Sequence, residues 1–454
     1  MHKLNPGSKL LHAYNQLRHP NTMIVFTFPV ILENVLGNIM GTIVSSFVGK
    51  LNNTSLAAMG TGGYAAGIIT ALFCLITVSS SVMTARAFGS GNIDETNKAV
   101  NQSMFLTIVC GLVLSTAFAV FANPIMRLLI PTAEPQLFDE TVEYFRLFCI
   151  SYPFFSIFLT GSGLLRAVGM SGKAMICSVF LNASYLVLVI IALTCFDLGL
   201  EGVGYALILA RILSTLLVGF FLFRCPHFRI TFKAMFSPDF PMLKRLIKLG
   251  TPNAMEQVFI QLGYLIANSL IIGLGTKEAA VFSVANSIHP FSSVVQAICS
   301  TSIITLVGQA LGETDIPKAK QSVRKLWIIG MITSILLSVG TGLLGVKITS
   351  LFSNDPVVIK ESANVLWILL SYNIFALSIN VIDPALKTGG DTRFVMLSSS
   401  LSVWLIRLPL TYLFCYIFSF GVWGIYLANI LNLAIRSVLG LIRYYKGRWT
   451  TIKV

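Results

Sequence analysis

Between residues 22 and 444 the chain repeatedly runs apolar for the ~20 residues that an α-helix needs to cross a bilayer. Inside lipid no water satisfies the backbone, so such runs must be helices whose hydrogen bonds close internally. Twelve spans are expected, at 22–48, 57–85, 98–121, 138–168, 173–195, 202–223, 248–272, 280–308, 322–345, 358–387, 395–418 and 423–444. Several exceed ~25 residues and must tilt, kink or project beyond the bilayer. Composition agrees: 11% of the residues are charged, against about a quarter in a soluble chain. The fold class expected is an all-α polytopic membrane protein.

A formal net charge of +14 would ordinarily suggest a nucleic-acid partner, but its distribution argues against one. Of the 32 Lys and Arg, 23 fall on the side of the termini, 4 in the opposite loops and 5 within spans. That asymmetry places both termini in the cytoplasm of a cell-membrane protein. Residues 1–21 are polar, lack a small-residue cleavage site and read as a cytoplasmic tail. The eight cysteines form no CxxC or CxxH pair, so no disulfide framework and no resident metal site is indicated.

The chain is also written twice. Pro29-Val-Ile-Leu-Glu33-Asn34 and Pro252-Asn-Ala-Met-Glu256-Gln257 stand 223 positions apart (252 − 29). At the same offset Ala87-Phe-Gly89 matches Ala310-Leu-Gly312. Gly163-Leu-Leu-Arg166-Ala-Val-Gly169 parallels Pro384-Ala-Leu-Lys387-Thr-Gly-Gly390 at 221 (387 − 166). Two six-span lobes follow, 22–223 and 248–445, joined by a basic linker at 224–247 and flanked by tails at 1–21 and 446–454. Six spans per half put both halves in the same orientation, related by a pseudo-two-fold axis along the membrane normal. Transporters that alternate access between two similar bundles use such parallel repeats.

Ionisable groups inside spans are costly and mark function. Glu33 and Glu256 are the first candidates for binding a coupling cation, H⁺ or Na⁺; a permanently protonated, hydrogen-bonded glutamate is the structural alternative. On a helical wheel Asn253, Gln257, Gln261, Tyr264 and Asn268 share one stripe with Glu256 at its edge. Asn34 and Asn38 do the same beside Glu33, and both stripes are expected to line a central cleft. Asp383, before Pro384 late in span 10, is a third carboxylate, with a structural or gating role equally open. Mid-span Arg407 needs a partner: pairing with Glu256 or Asp383 would make it a gate, and snorkelling towards an interface is the structural alternative. Arg211 and Arg436 read as structural anchors, and His289-Pro290 as a kink.

Together, the two Pro-x-x-x-Glu openings, Ala87-Phe-Gly89-Ser-Gly91-Asn92, Leu165-Arg166-Ala-Val-Gly169, Lys387-Thr-Gly-Gly-Asp391-Thr392 and Arg407-Leu-Pro409 resemble the multidrug and toxic compound extrusion (MATE) family. The resemblance covers about 20–445. It implies two six-helix lobes and export of small organic, often cationic, compounds by a monomer in exchange for Na⁺ or H⁺, with no further cofactor. The chain departs from the family's ion-site positions: Ile260, Ala376, Val44 and Leu186 stand near places where acidic residues occur in one branch or another. A lipid-linked or oligosaccharide flippase of the same superfamily is the alternative. A major facilitator is disfavoured because the loop after span 2 reads GSGNIDETNK. No HExxH, GxSxG or Walker A sequence is present, so neither an intramembrane enzyme nor an ATP-driven pump is indicated.

Overall fold

The computed structural model describes residues 21–49, 51, 53–130, 134–272, 276–350 and 355–452. Twelve long helices run through them. Those of the first half are α1 (Asn21–Gly49), α2 (Asn53–Gly89), α3 (Ile93–Val120), α4 (Pro135–Ala167), α5 (Ser171–Thr194) and α6 (Gly199–Phe223). Those of the second are α7 (Phe240–Ile272), α8 (Thr276–Gly312), α9 (Ile316–Leu343), α10 (Pro356–Thr388), α11 (Thr392–Ile417) and α12 (Val422–Tyr445). Among the described residues ten helical segments are long and apolar enough to cross a membrane. No strand occurs among the described residues. The protein is an all-α, multi-pass membrane protein of two lobes.

By internal packing the chain divides into Met1–Gly250 and Thr251–Val454. Helix α7 starts eight residues before the expected 248, and its first turns belong to the first unit. There Met242, Leu243, Leu246 and Leu249 are buried while Lys244, Arg245 and Lys248 are exposed. That is an amphipathic helix, which a search for uninterrupted apolar runs passes over. The preceding linker is stitched to α3 through side chains that take its backbone. Asn101 donates to Arg229 O at 2.9 Å, and Gln102 donates to Ser237 O at 2.8 Å and accepts from Asp239 N at 3.0 Å.

Each unit is organised around its fourth helix. Helix α4 packs against α2, α3 and α6, and α10 packs against α8, α9 and α12. Both hub helices end in the same turn. Gly169 (φ 84°) and Gly390 (φ 95°) adopt the left-handed conformation that only glycine takes without strain. Met170 N then bonds to Leu165 O and Asp391 N to Leu386 O, at 2.8 and 2.9 Å. The turn leaves Arg166 and Lys387 in the last turn of their helices, where the carbonyl ends favour a cation.

Helix α11 departs from regular geometry. Ser402–Arg407 and Leu413–Ile417 are π-helical, flanking the short α-helical stretch that holds Pro409. Proline removes one backbone donor and crowds the preceding turn. The wider π turn absorbs the mismatch, and such bulges gather at functional positions.

Candidate functional site

In the first unit Glu33 of α1 meets Arg166 from the end of α4. One guanidinium nitrogen, Nη1, donates to both carboxylate oxygens at 3.0 Å, and Ser178 of α5 donates to Oε1 at 2.7 Å. Glu33 stands twelve residues into α1, about 18 Å along its axis at 1.5 Å per residue. The two charged side chains are 19% and 17% exposed.

The second unit repeats this arrangement. Glu256 of α7 meets Lys387 at 2.7 Å, and Ser399 of α11, the repeat counterpart of Ser178, donates its hydroxyl to Met396 O at 3.2 Å. Arg166 and Lys387, and Ser178 and Ser399, are both separated by 221 positions (387 − 166; 399 − 178). The glutamate, the base and the serine are therefore all inherited from one duplicated unit. The second unit then adds a pair of its own. Arg436 of α12 donates to Glu256 Oε1 at 3.0 Å and to Asp383 Oδ2 at 2.6 Å. Glu256 and Asp383 are 1% and 5% exposed.

Electrostatics explain why Asp383 and Arg436 occur together. One extra buried charge would cost several kcal/mol, whereas an added pair keeps the cluster neutral. Two carboxylates face two bases, and three of the four carboxylate oxygens already touch a base. Among the described residues no group of three His, Cys, Asp or Glu side chains is arranged to hold a metal ion.

Pairing with these carboxylates is one of the two readings of Arg407, and the structure places Lys387 and Arg436 there instead. Arg407 lies with its guanidinium 4.3 Å from the ring centroid of Tyr264. Among the described residues it forms no ion pair. Arg436, expected to be only an anchor, bridges two carboxylates. Of the α7 stripe, Asn253 is buried, Gln257 and Gln261 are half-buried and Tyr264 is exposed; the side chain of Asn268 lies outside the described residues. Asn34 donates to Val30 O at 2.8 Å, and Asn34 and Asn38 are half-buried. Lys387 was visible in the sequence as the repeat partner of Arg166. Applying the repeat to contacts as well as to residues would have paired each base with its glutamate.

The MatE family model matches residues 29–196 and 252–413, one stretch in each half and well over half of the chain. The probable multidrug resistance protein NorM of Thermotoga maritima is 23% identical over 431 residues, covering 94% of this chain and 92% of that protein. The probable multidrug resistance protein YoeA of Bacillus subtilis is 22% identical, with 94% of each chain covered. Among solved structures, an outward-facing multidrug resistance MATE family transporter of the MOP superfamily superposes with a TM-score of 0.89 at 19% identity, covering 100% of both chains.

Proposed function

The chain belongs to the MatE family, and we propose that it is a multidrug efflux transporter exchanging small drug-like organic compounds for protons. Family membership makes it a transporter rather than an enzyme. In the proposed orientation both termini are cytoplasmic, which the excess of positive charge on their side supports. It works as a monomer, because each lobe contains its own charge cluster.

The observation carrying the proton reading is the occupancy of the carboxylates. Glu256 has a base at each oxygen and Asp383 has one at Oδ2. A proton adds to a single oxygen. A sodium ion needs several oxygens at once and would have to displace two fixed cations. Loading one proton leaves a buried cluster with a net positive charge and frees a base from its partner. Breaking such a pair costs about 3–5 kcal/mol. Switching a two-state equilibrium from 1:99 to 99:1 takes about 5.5 kcal/mol, so protonation is of the right size to favour another conformation. The Glu33 cluster follows the same logic with one pair instead of two.

The test is ethidium transport in proteoliposomes under separately imposed pH and Na⁺ gradients. Transport driven by the pH gradient alone is expected. Transport that needs Na⁺ and ignores the pH gradient would overturn the proton assignment, and no ethidium movement under either gradient would overturn the efflux reading.

A further inference from the structure

We propose that Arg407 is a recognition site for an acidic oxygen group, such as a carboxylate, on an aromatic compound. The proposal rests on the transporter reading only for its setting, since binding can be measured without transport.

The argument begins with charge balance inside the second unit. Lys387 and Arg436 are neutralised by Glu256 and Asp383, and Arg443 pairs with Asp391 at 2.7 Å. Arg407 is 6% exposed, yet no carboxylate lies within 4 Å of its guanidinium among the described residues. All eighteen Asp and Glu of the chain are among those residues. A guanidinium carries five N–H donors in a planar fork that fits a carboxylate. With little exposure and no anion beside it, that fork is free to take the oxygens of a ligand.

The surroundings specify the remainder of the ligand. The ring of Tyr264 lies against one face of the guanidinium and is itself 47% exposed. Trp404, three residues earlier on α11, is 37% exposed and sits edge-on to Phe259 of α7 with centroids 6.5 Å apart. A cation at the rim of an open aromatic surface suits a flat ring bearing an acid.

Local geometry is built to hold this arrangement. A Cβ on Gly263 would run into Val403 Cγ1, so glycine at 263 is what lets α7 and α11 close up. The π turn Ser402–Arg407 sets the direction of Arg407 at that crossing. Arg211 in the first unit provides the contrast. It is wedged between Phe148 and Phe155, at 4.4 and 4.1 Å, and bonds to Ser151 at 2.6 Å, so its donors and faces are used internally.

The experiment is equilibrium binding of 2-naphthoate and its neutral isostere 2-naphthamide to the purified full-length protein in detergent. Wild type is expected to bind the carboxylate about tenfold more tightly, the worth of one charge-assisted bidentate contact at about 1.4 kcal/mol. Arg407→Gln should bind both equally, and Arg407→Lys should keep part of the preference. Equal binding of the two probes by wild type, no binding of either, or an undiminished preference in Arg407→Gln would each overturn the proposal. The wild-type comparison decides the matter even where Arg407→Gln fails to fold. Failure of ethidium transport in proteoliposomes would count against the efflux reading and leave this result standing.

Discussion

At the scale of single residues, two glutamates are legible in the sequence because each repeats at the same place in an apolar run. Their partners are harder to read. Arg166 lies 133 positions from Glu33, and Lys387 lies 131 from Glu256, each on a different helix. Arg436 is 180 positions from Glu256, and its contact exists only because α7, α10 and α12 converge. The neutrality of that cluster makes a prediction. Lys387→Met leaves two carboxylates facing one base and should destabilise the protein by about 3–5 kcal/mol. The double variant Glu256→Gln/Lys387→Met restores the balance and should be the more stable of the two. Thermal denaturation of both in detergent checks the order. A second prediction concerns His227 in the linker. Burial, and then the charge of Lys173, hold its imidazole below the ordinary range. The unfolded chain therefore binds a proton that the folded protein excludes, so stability falls as the pH drops through about 6.5. Its ring packs edge-on against Phe88, with centroids 5.3 Å apart. His227→Phe should remove part of the acid sensitivity, seen as a smaller loss of melting temperature between pH 7.5 and pH 5.5.

Among the elements, the twelve helices follow from hydropathy, and the two deviations have physical causes. The basic start of α7 is amphipathic and lies outside any apolar run. The π turns of α11 follow no hydropathy signal, although Pro409 marks the place where regular bonding must fail. The hub-helix ends were readable from the paired glycines in the two repeats. Gly390→Ala should cost roughly 1–2 kcal/mol because an L side chain is strained at positive φ. It should also shift Lys387 away from Glu256. Gly390→Asn, which tolerates that conformation better, should be milder. Melting temperatures and ethidium transport in the two variants check both statements.

For the molecule as a whole, the duplication explains why each lobe contains a glutamate, a base and a serine, and why the second lobe could elaborate its set without losing neutrality. Sequence alone showed that two carboxylates were available for coupling. It did not show that they are paired with bases, the observation on which the proton proposal rests. Under the proton proposal, binding a transported cation and binding a proton compete through one charge balance. Proton release on substrate binding is therefore the most direct measurement of the account. Adding ethidium to the purified protein, first brought to a pH acid enough to load the cluster, in weakly buffered detergent solution with a pH-sensitive dye, should release about one proton per protein molecule. Glu256→Gln should bind ethidium and release none. Equal release by wild type and Glu256→Gln, or none by a wild type that binds ethidium only with Na⁺ present, would contradict it.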